Sequence, residues 1–323
     1  TALIEGGKSP ETPVAVVRRC TLPDQTLVRC TLGTVAEVIR QSGIRPPAVT
    51  VVGEVVGLGP ELSWFAARPL FGRTVLVTRP RHQAETFCDR FTSLGARVLV
   101  QPTIEISPCD DWEPVDDVLA RLDGFDWLVF SSANGVHQLL TRLFFLGRDL
   151  RALGGVKLAA IGPGTAEELA SWRLNTDLIP DQYRAEALAD VLAPHVAGRR
   201  VLLARASRGR EVLAERLQHA GARVSQVVVY ASTDVERVDP QVETALSEGQ
   251  IDWITITSSA IAQSAVRLFG QSFGQAKLAS ISPITSETLR TLGHEPTAEA
   301  IDYTVDGVVD AILGAEREDG VSG

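Results

Sequence analysis

The chain of 323 residues carries 45% hydrophobic and 22% charged side chains, the composition of an ordinary folded protein with room for two or three cores. Its 31 basic and 40 acidic residues give a formal net charge of −9, which argues against a nucleic-acid surface, where a basic stripe would be needed. No apolar run approaches the ~20 residues that span a bilayer, and no basic-then-apolar signal opens the chain, so neither membrane nor export is expected. There is no methionine and the first residues are Thr1-Ala2-Leu3-Ile4, so the sequence reads as a piece of a longer polypeptide. Cys20, Cys30, Cys88 and Cys109 form no CxxC pair and no metal spacing with histidine; they read as unpaired thiols of a reducing compartment, the cytoplasm.

In chain order, residues 1–71 are predicted to be a partial α/β domain. Val14 to Val17 reads as a strand, Thr34 to Ile39 as a short helix and Ala48 to Gly53 as a second buried strand, followed by turn chemistry at Gly57-Leu58-Gly59-Pro60 and Arg68-Pro69. From Thr74 the pattern becomes strand and helix in alternation. Short apolar, β-branched runs at 75–78, 98–104, 127–130, 157–161 and 176–179 alternate with helical stretches such as Ala84 to Leu94 and Ala133 to Leu146. A second series of runs follows at 201–204, 224–230, 253–257, 277–281 and, more weakly, 297–301. Parallel sheets covered by helices on both faces are expected.

The two series are copies. Asp126-Trp127-Leu128-Val129-Phe130-Ser131-Ser132 returns 126 positions later as Asp252-Trp253-Ile254-Thr255-Ile256-Thr257-Ser258, and Gly95-Ala96-Arg97-Val98 returns as Gly221-Ala222-Arg223-Val224. At an offset of 120, Lys157-Leu158-Ala159-Ala160-Ile161-Gly162-Pro163-Gly164-Thr165 answers Lys277-Leu278-Ala279-Ser280-Ile281-Ser282-Pro283-Ile284-Thr285. A period this long implies two whole domains of one architecture, one after the other, with a cleft between them.

The carboxyl ends of these strands are rich in glycine and small hydroxyls: Ser131-Ser132, Gly162 to Thr165, Thr257-Ser258 and Ser282 to Thr285. Each enters a helix, whose N–H groups and dipole favour an anion, although serine and threonine there also serve as simple helix caps. Arg79 and Arg205 stand at equivalent positions after the first strand of each copy, with Arg81, Arg208 and Arg210 close behind, and suit carboxylates. Tyr230 ends the run Val227-Val228-Val229 where the other copy has Ile104, an asymmetry that packing alone does not demand. Phosphate loops, dinucleotide fingerprints, nucleophile elbows and metal spacings are absent, which leaves chemistry without a cofactor.

Val75-Leu-Val-Thr-Arg-Pro80, Phe130-Ser-Ser-Ala-Asn-Gly-Val136, Ala160-Ile-Gly-Pro-Gly-Thr-Ala166, Val229-Tyr230, Thr257-Ser258 and Ile281 to Thr285, in this order and spacing, resemble uroporphyrinogen-III synthase over residues 72 to about 315. Thr12 to Val17, Thr21 to Gln25, Thr31-Leu32 and Val51 to Val56 through Trp64-Phe65 resemble the C-terminal end of uroporphyrinogen-III C-methyltransferase. The first resemblance implies two flavodoxin-like domains joined by a two-stranded crossover, at Val98 to Ile106 and Val224 to Ala231. One domain would comprise 72–106 with 233–316, the other 107–232, and 317–323 would be a disordered tail.

It further implies closure of hydroxymethylbilane to uroporphyrinogen III with inversion of ring D and loss of water, without a cofactor and with hydroxymethylbilane synthase as a transient partner. Tyr230 would be the general acid, and Arg79, Ser131, Ser132, Gly162, Thr165, Arg205, Thr257, Ser258, Ser282 and Thr285 would hold substrate carboxylates. The second resemblance places Cys20 and Thr21 in a vestigial S-adenosylmethionine pocket, lacking the glycine-rich loop upstream of Thr1; the methyl donor would belong to the complete parent protein only, and this piece should not methylate. A binding or regulatory protein with the same fold, clamping an anion without chemistry, is the alternative.

Overall fold

The computed structural model describes residues 2–59, 62–209 and 211–321. Near the N-terminus, Pro13–Arg18 (β1), Thr26–Thr31 (β2) and Ala48–Val52 (β3) form an antiparallel sheet in the order β2-β1-β3. Only the central strand is deeply buried, with Val14 and Val16 packed on Ile44 beneath the helix Val35–Ser42. The buried strand expected at 48–53 is therefore a largely exposed edge strand. Thr26–Thr31 was not anticipated; its residues alternate weakly and owe their extended form to pairing with β1, Cys30 opposite Val14.

Ten more strands follow: Thr74–Val77 (β4), Arg97–Val100 (β5), Ile104–Pro108 (β6), Trp127–Phe130 (β7), Lys157–Ala160 (β8), Arg200–Ala206 (β9), Arg223–Asp234 (β10), Trp253–Ile256 (β11), Lys277–Ser280 (β12) and Ala298–Glu299 (β13). They make two five-stranded sheets, β13-β12-β11-β4-β5 and β6-β10-β9-β7-β8. The pairs β4–β5, β11–β4, β11–β12 and β12–β13, and likewise β9–β10, β7–β9 and β7–β8, are all parallel. The chain divides accordingly, with residues up to Ile104 and from Val235 onward in a first unit and Glu105–Asp234 in a second.

In the first unit, β5, β4, β11, β12 and β13 lie side by side in the flavodoxin order 2-1-3-4-5. The second unit repeats that order from a different start: β10, β9, β7 and β8 take places 2, 1, 3 and 4 although β7 and β8 come earlier in the chain, Leu178 bridges Ala159 in place 5, and β6 is added outside β10. Each sheet is thus assembled from both sequence copies. Val75 of the first copy lies opposite Trp253 of the second, and Trp127 of the first opposite Val201 of the second. The reading of two whole domains in succession is corrected: the copies have exchanged halves.

The strand expected at 176–179 is reduced to that single bridge. Asp177 supplies the reason, since its carboxylate accepts the Leu158 N–H at 2.7 Å and takes over a donor that a longer ladder would use. At the C-terminus the segment expected to be a disordered tail is helical as far as Val321, in the helix Val305–Val321, while 322–323 lie outside the described residues. Val308, Val309 and Ile312 bury one face of it against Val75, Val77 and Trp253. No helix among the described residues is long and apolar enough to cross a membrane.

Candidate active site

In both units the carboxyl ends of the central strands run directly into helices. Ser132, Ser258 and Ser282 take extended backbone angles, and their side-chain oxygens accept from the N–H groups of Gly135 (3.1 Å), Ile261 (3.2 Å) and Thr285 (3.4 Å). All three serines therefore cap the helices that follow. Gly162 holds the fourth such position, before the helix Pro163–Ser171, and has no side chain to cap with. What requires glycine is Tyr183: a Cβ on Gly162 would stand 3.0 Å from both its Cβ and its Cγ. Gly162→Ala should push the Tyr183 ring away and cost about 1–3 kcal/mol, the usual penalty for overpacking, read as a lowered Tm.

Thr165 and Thr285, each in the first turn of its helix, are 5% and 2% exposed. Thr285 Oγ1 is 3.2 Å from Ser282 Oγ, so its hydroxyl is engaged with the cap. Ser131 and Thr257 are half-buried, and Thr257 Oγ1 is buried without a hydrogen-bond partner among the described residues.

The two arginines matched by the repeat differ. Arg205 bonds the carboxylate of Glu211 and, at 3.1 Å, Gln226 Oε1, so its charge is matched within the chain; that bond first, then Gln226, holds the Glu211 carboxyl below the usual range. Arg79 has no carboxylate among the described residues. Its Nη2 donates to Gln83 Oε1 at 3.2 Å, its Nε is buried without a partner, and burial lowers its pKa from the ordinary arginine value. A half-buried guanidinium of this kind favours an incoming anion. Arg208 clamps β10 through Ser232 Oγ (3.1 Å) and Asp234 Oδ1 (2.7 Å) and keeps Nη2 buried without a partner. Arg210 lies outside the described residues.

Tyr230 is placed by an irregularity in β10. Val227 and Val229 alternate into the core; the register against β9 then slips between Val228 and Tyr230, so two successive side chains are buried. The ring is 7% exposed, and the phenol oxygen lies 2.9 Å from Ser132 Oγ and is also bonded by the Asn134 side chain. Burial raises its pKa above the ordinary tyrosine value, while Ser132, Asn134 and the Arg208 charge pull the other way without cancelling the rise. The phenol is therefore protonated at neutral pH and surrounded by groups that accept a hydrogen bond or favour a passing negative charge.

Sequence reasoning singled out Tyr230 and Ser132 separately and did not see that they touch. Asn134 and Arg208 were missed as neighbours of the phenol, because no sequence signal reports a bulge. Cys20 and Thr21 sit in the exposed loop between β1 and β2, where Thr21 N–H donates to Gln25 Oε1 at 2.9 Å. Among the described residues no group of three His, Cys, Asp or Glu could hold a metal ion.

A family model described as "Uroporphyrinogen-III synthase HemD" matches residues 85–310. A uroporphyrinogen-III synthase of Synechococcus elongatus is 33% identical over 257 residues, 77% of this chain and 97% of that protein. The porphyrin biosynthesis protein HemD of Ruminiclostridium josui is 26% identical over 96% of this chain, which spans 62% of its length. A uroporphyrinogen-III C-methyltransferase from Sinorhizobium sp matches a shorter stretch, 65 residues at 43% identity, 20% of this chain and 23% of that one. In fold, the chain is similar to a crystal structure of a mutant uroporphyrinogen III synthase from the extreme thermophile Thermus thermophilus, with a TM-score of 0.57, 20% identity and coverage of 76% of this chain and 99% of that one. On the extent of the family match and the identity to the Synechococcus enzyme, the chain belongs to the uroporphyrinogen-III synthase family.

Proposed function

We propose that this chain closes hydroxymethylbilane to uroporphyrinogen III with Tyr230 as the general acid. The observation that carries the assignment is a protonated, buried phenol bonded to Ser132 at the carboxyl ends of a parallel sheet, where ligands of such folds bind. The terminal hydroxymethyl group leaves as its pyrrole nitrogen pushes electrons toward the breaking C–O bond. Tyr230 gives its proton to the departing oxygen, so that water leaves rather than hydroxide. The phenolate is held by Ser132, Asn134 and the nearby Arg208 charge until the proton lost from the attacked pyrrole carbon, as that pyrrole regains aromaticity, returns to it.

The helix N-termini at Ser132, Gly162, Ser258 and Ser282 serve substrate carboxylates through backbone N–H groups, since the serine side chains are already committed to capping. Thr257 Oγ1 and Arg79 Nε, both buried without partners, supply further donors. Arg205, matched by Glu211, contributes by holding the loop after β9. Because unaided closure gives the non-inverted isomer, pose is the main contribution of the protein. The free thiols agree with a reducing, cytoplasmic setting, and hydroxymethylbilane synthase is the natural donor of so reactive a substrate. Residues 1–71 read as methyltransferase-derived on their motifs.

The test is incubation with hydroxymethylbilane followed by oxidation and isomer analysis. Isomer III should exceed isomer I by at least about tenfold, and isomer I alone, as in the absence of protein, would refute the reading.

A further inference from the structure

At the opposite ends of the strands the two units carry one cage of side chains, closed in the first and open in the second. In the first unit Asp252 accepts from Thr74 N–H (2.7 Å) and Arg73 Nη1 (3.2 Å), and Lys277, paired across from Trp253, sets its Nζ 5.2 Å from the indole centroid. In the second unit Asp126 accepts from Arg200 N–H (2.8 Å) and Arg199 Nη1 (3.1 Å), and Lys157, paired across from Trp127, sets its Nζ 5.4 Å from that ring.

The first cage is filled by the C-terminal helix. Glu316, its side chain 8% exposed, accepts from Trp253 Nε1 (2.9 Å), Lys277 Nζ (3.0 Å) and Arg73 Nε (2.6 Å), and Asp319, one turn on, pairs with the same lysine. In the second unit the corresponding helix, Ala185–Val196, stops where Glu316 would stand, with Val196 in its place. Among the described residues Lys157 has no carboxylate partner, the Trp127 indole N–H has no acceptor and Arg199 bonds Asp126 alone. A cavity of about 490 Å³ remains, with His195 on its wall.

We infer that the open cage of the second unit is a binding site for a small aliphatic dicarboxylate, distinct from the tetrapyrrole site. The class follows from what fills the other cage: two carboxylates one helical turn, roughly 5 Å, apart. The volume lies in the range of small-molecule sites. The ligand bonds Trp127 Nε1, Lys157 and Arg199 as Glu316 bonds their counterparts.

Glutarate spans that separation and is the probe. Titrated into the full chain by calorimetry, it should bind at one site per chain, and at least tenfold more weakly to Lys157→Glu, which leaves isomer III turnover without glutarate unchanged. The amide analogue glutaramide should not compete. Glu316→Ala combined with Asp319→Ala, which removes both carboxylates from the first cage, should raise the stoichiometry toward two. Absence of glutarate binding to the native chain, or binding that survives Lys157→Glu undiminished, would overturn the inference.

Discussion

Tyr230→Phe should lower kcat by about 10²-fold, the low end of what a positioned general acid contributes, because the pyrrole nitrogen already supplies much of the push. The substitution removes one oxygen and its hydrogen bonds to Ser132 and Asn134, so it should cost about 1–2 kcal/mol of stability and leave KM within a few-fold. Since burial raises the Tyr230 pKa, the alkaline limb of the kcat profile should fall above the ordinary tyrosine value of about 10. Stopped-flow turnover with isomer analysis measures both. Unaltered kcat in the phenylalanine variant would remove Tyr230 from the proton transfer, and an alkaline limb near pH 9 would contradict the protonated phenol.

Glu316→Ala should give the largest loss of stability. It leaves Arg73 Nε and the indole N–H of the fully buried Trp253 without an acceptor and takes from Lys277 one of its two carboxylates, Asp319 remaining. Arg73 and Lys277 remain partly solvated, so the cost is nearer 2–3 kcal/mol than the 3–5 of a fully enclosed pair, a fall in Tm of roughly 4–10 °C. Burial by itself would raise the Glu316 carboxyl pKa; the bonds from Trp253 and Lys277 and the charges of Arg73 and Lys277 outweigh it and leave it below the usual range. A carboxyl depressed in the folded state stabilises fully above its unfolded pKa, about 4.3, and that contribution disappears as pH falls through the lower folded value. Glu316→Gln should therefore flatten the acid limb of unfolding measured by denaturant at stepped pH. An identical limb in the variant would mean that other carboxyls govern it.

Much of the fold is legible from spacing because buried parallel strands are short, apolar and bounded by turns: β7, β11 and β12 fall within a residue of where the runs predict them. The exchange of halves between copies is not legible from spacing, since Trp253 can lie opposite Val75 or Val201 with equal hydrophobic satisfaction; only the family resemblance pointed to it. Strand ends carry the capping serines visibly, because extended Ser before a helix is a local signal. The setting of Tyr230 is not visible, because it depends on a register slip against β9 and on loop residues Ser207 and Arg208 folding back over β10. The repeat likewise equates Arg79 with Arg205 and Glu85 with Glu211, yet only Arg205 bonds its glutamate, which makes the two arginines electrostatically unlike.

The exchanged halves also dictate an order of assembly during synthesis. Glu105–Asp234 is contiguous and holds nearly the whole of its own sheet once Asp234 has left the ribosome. β4 and β5 emerge early but lack their neighbour until Trp253 is made, roughly ten to forty seconds later at ordinary elongation rates. Through that interval the β4 edge stays unpaired, a nascent-chain hazard for which the natural guard is a chaperone.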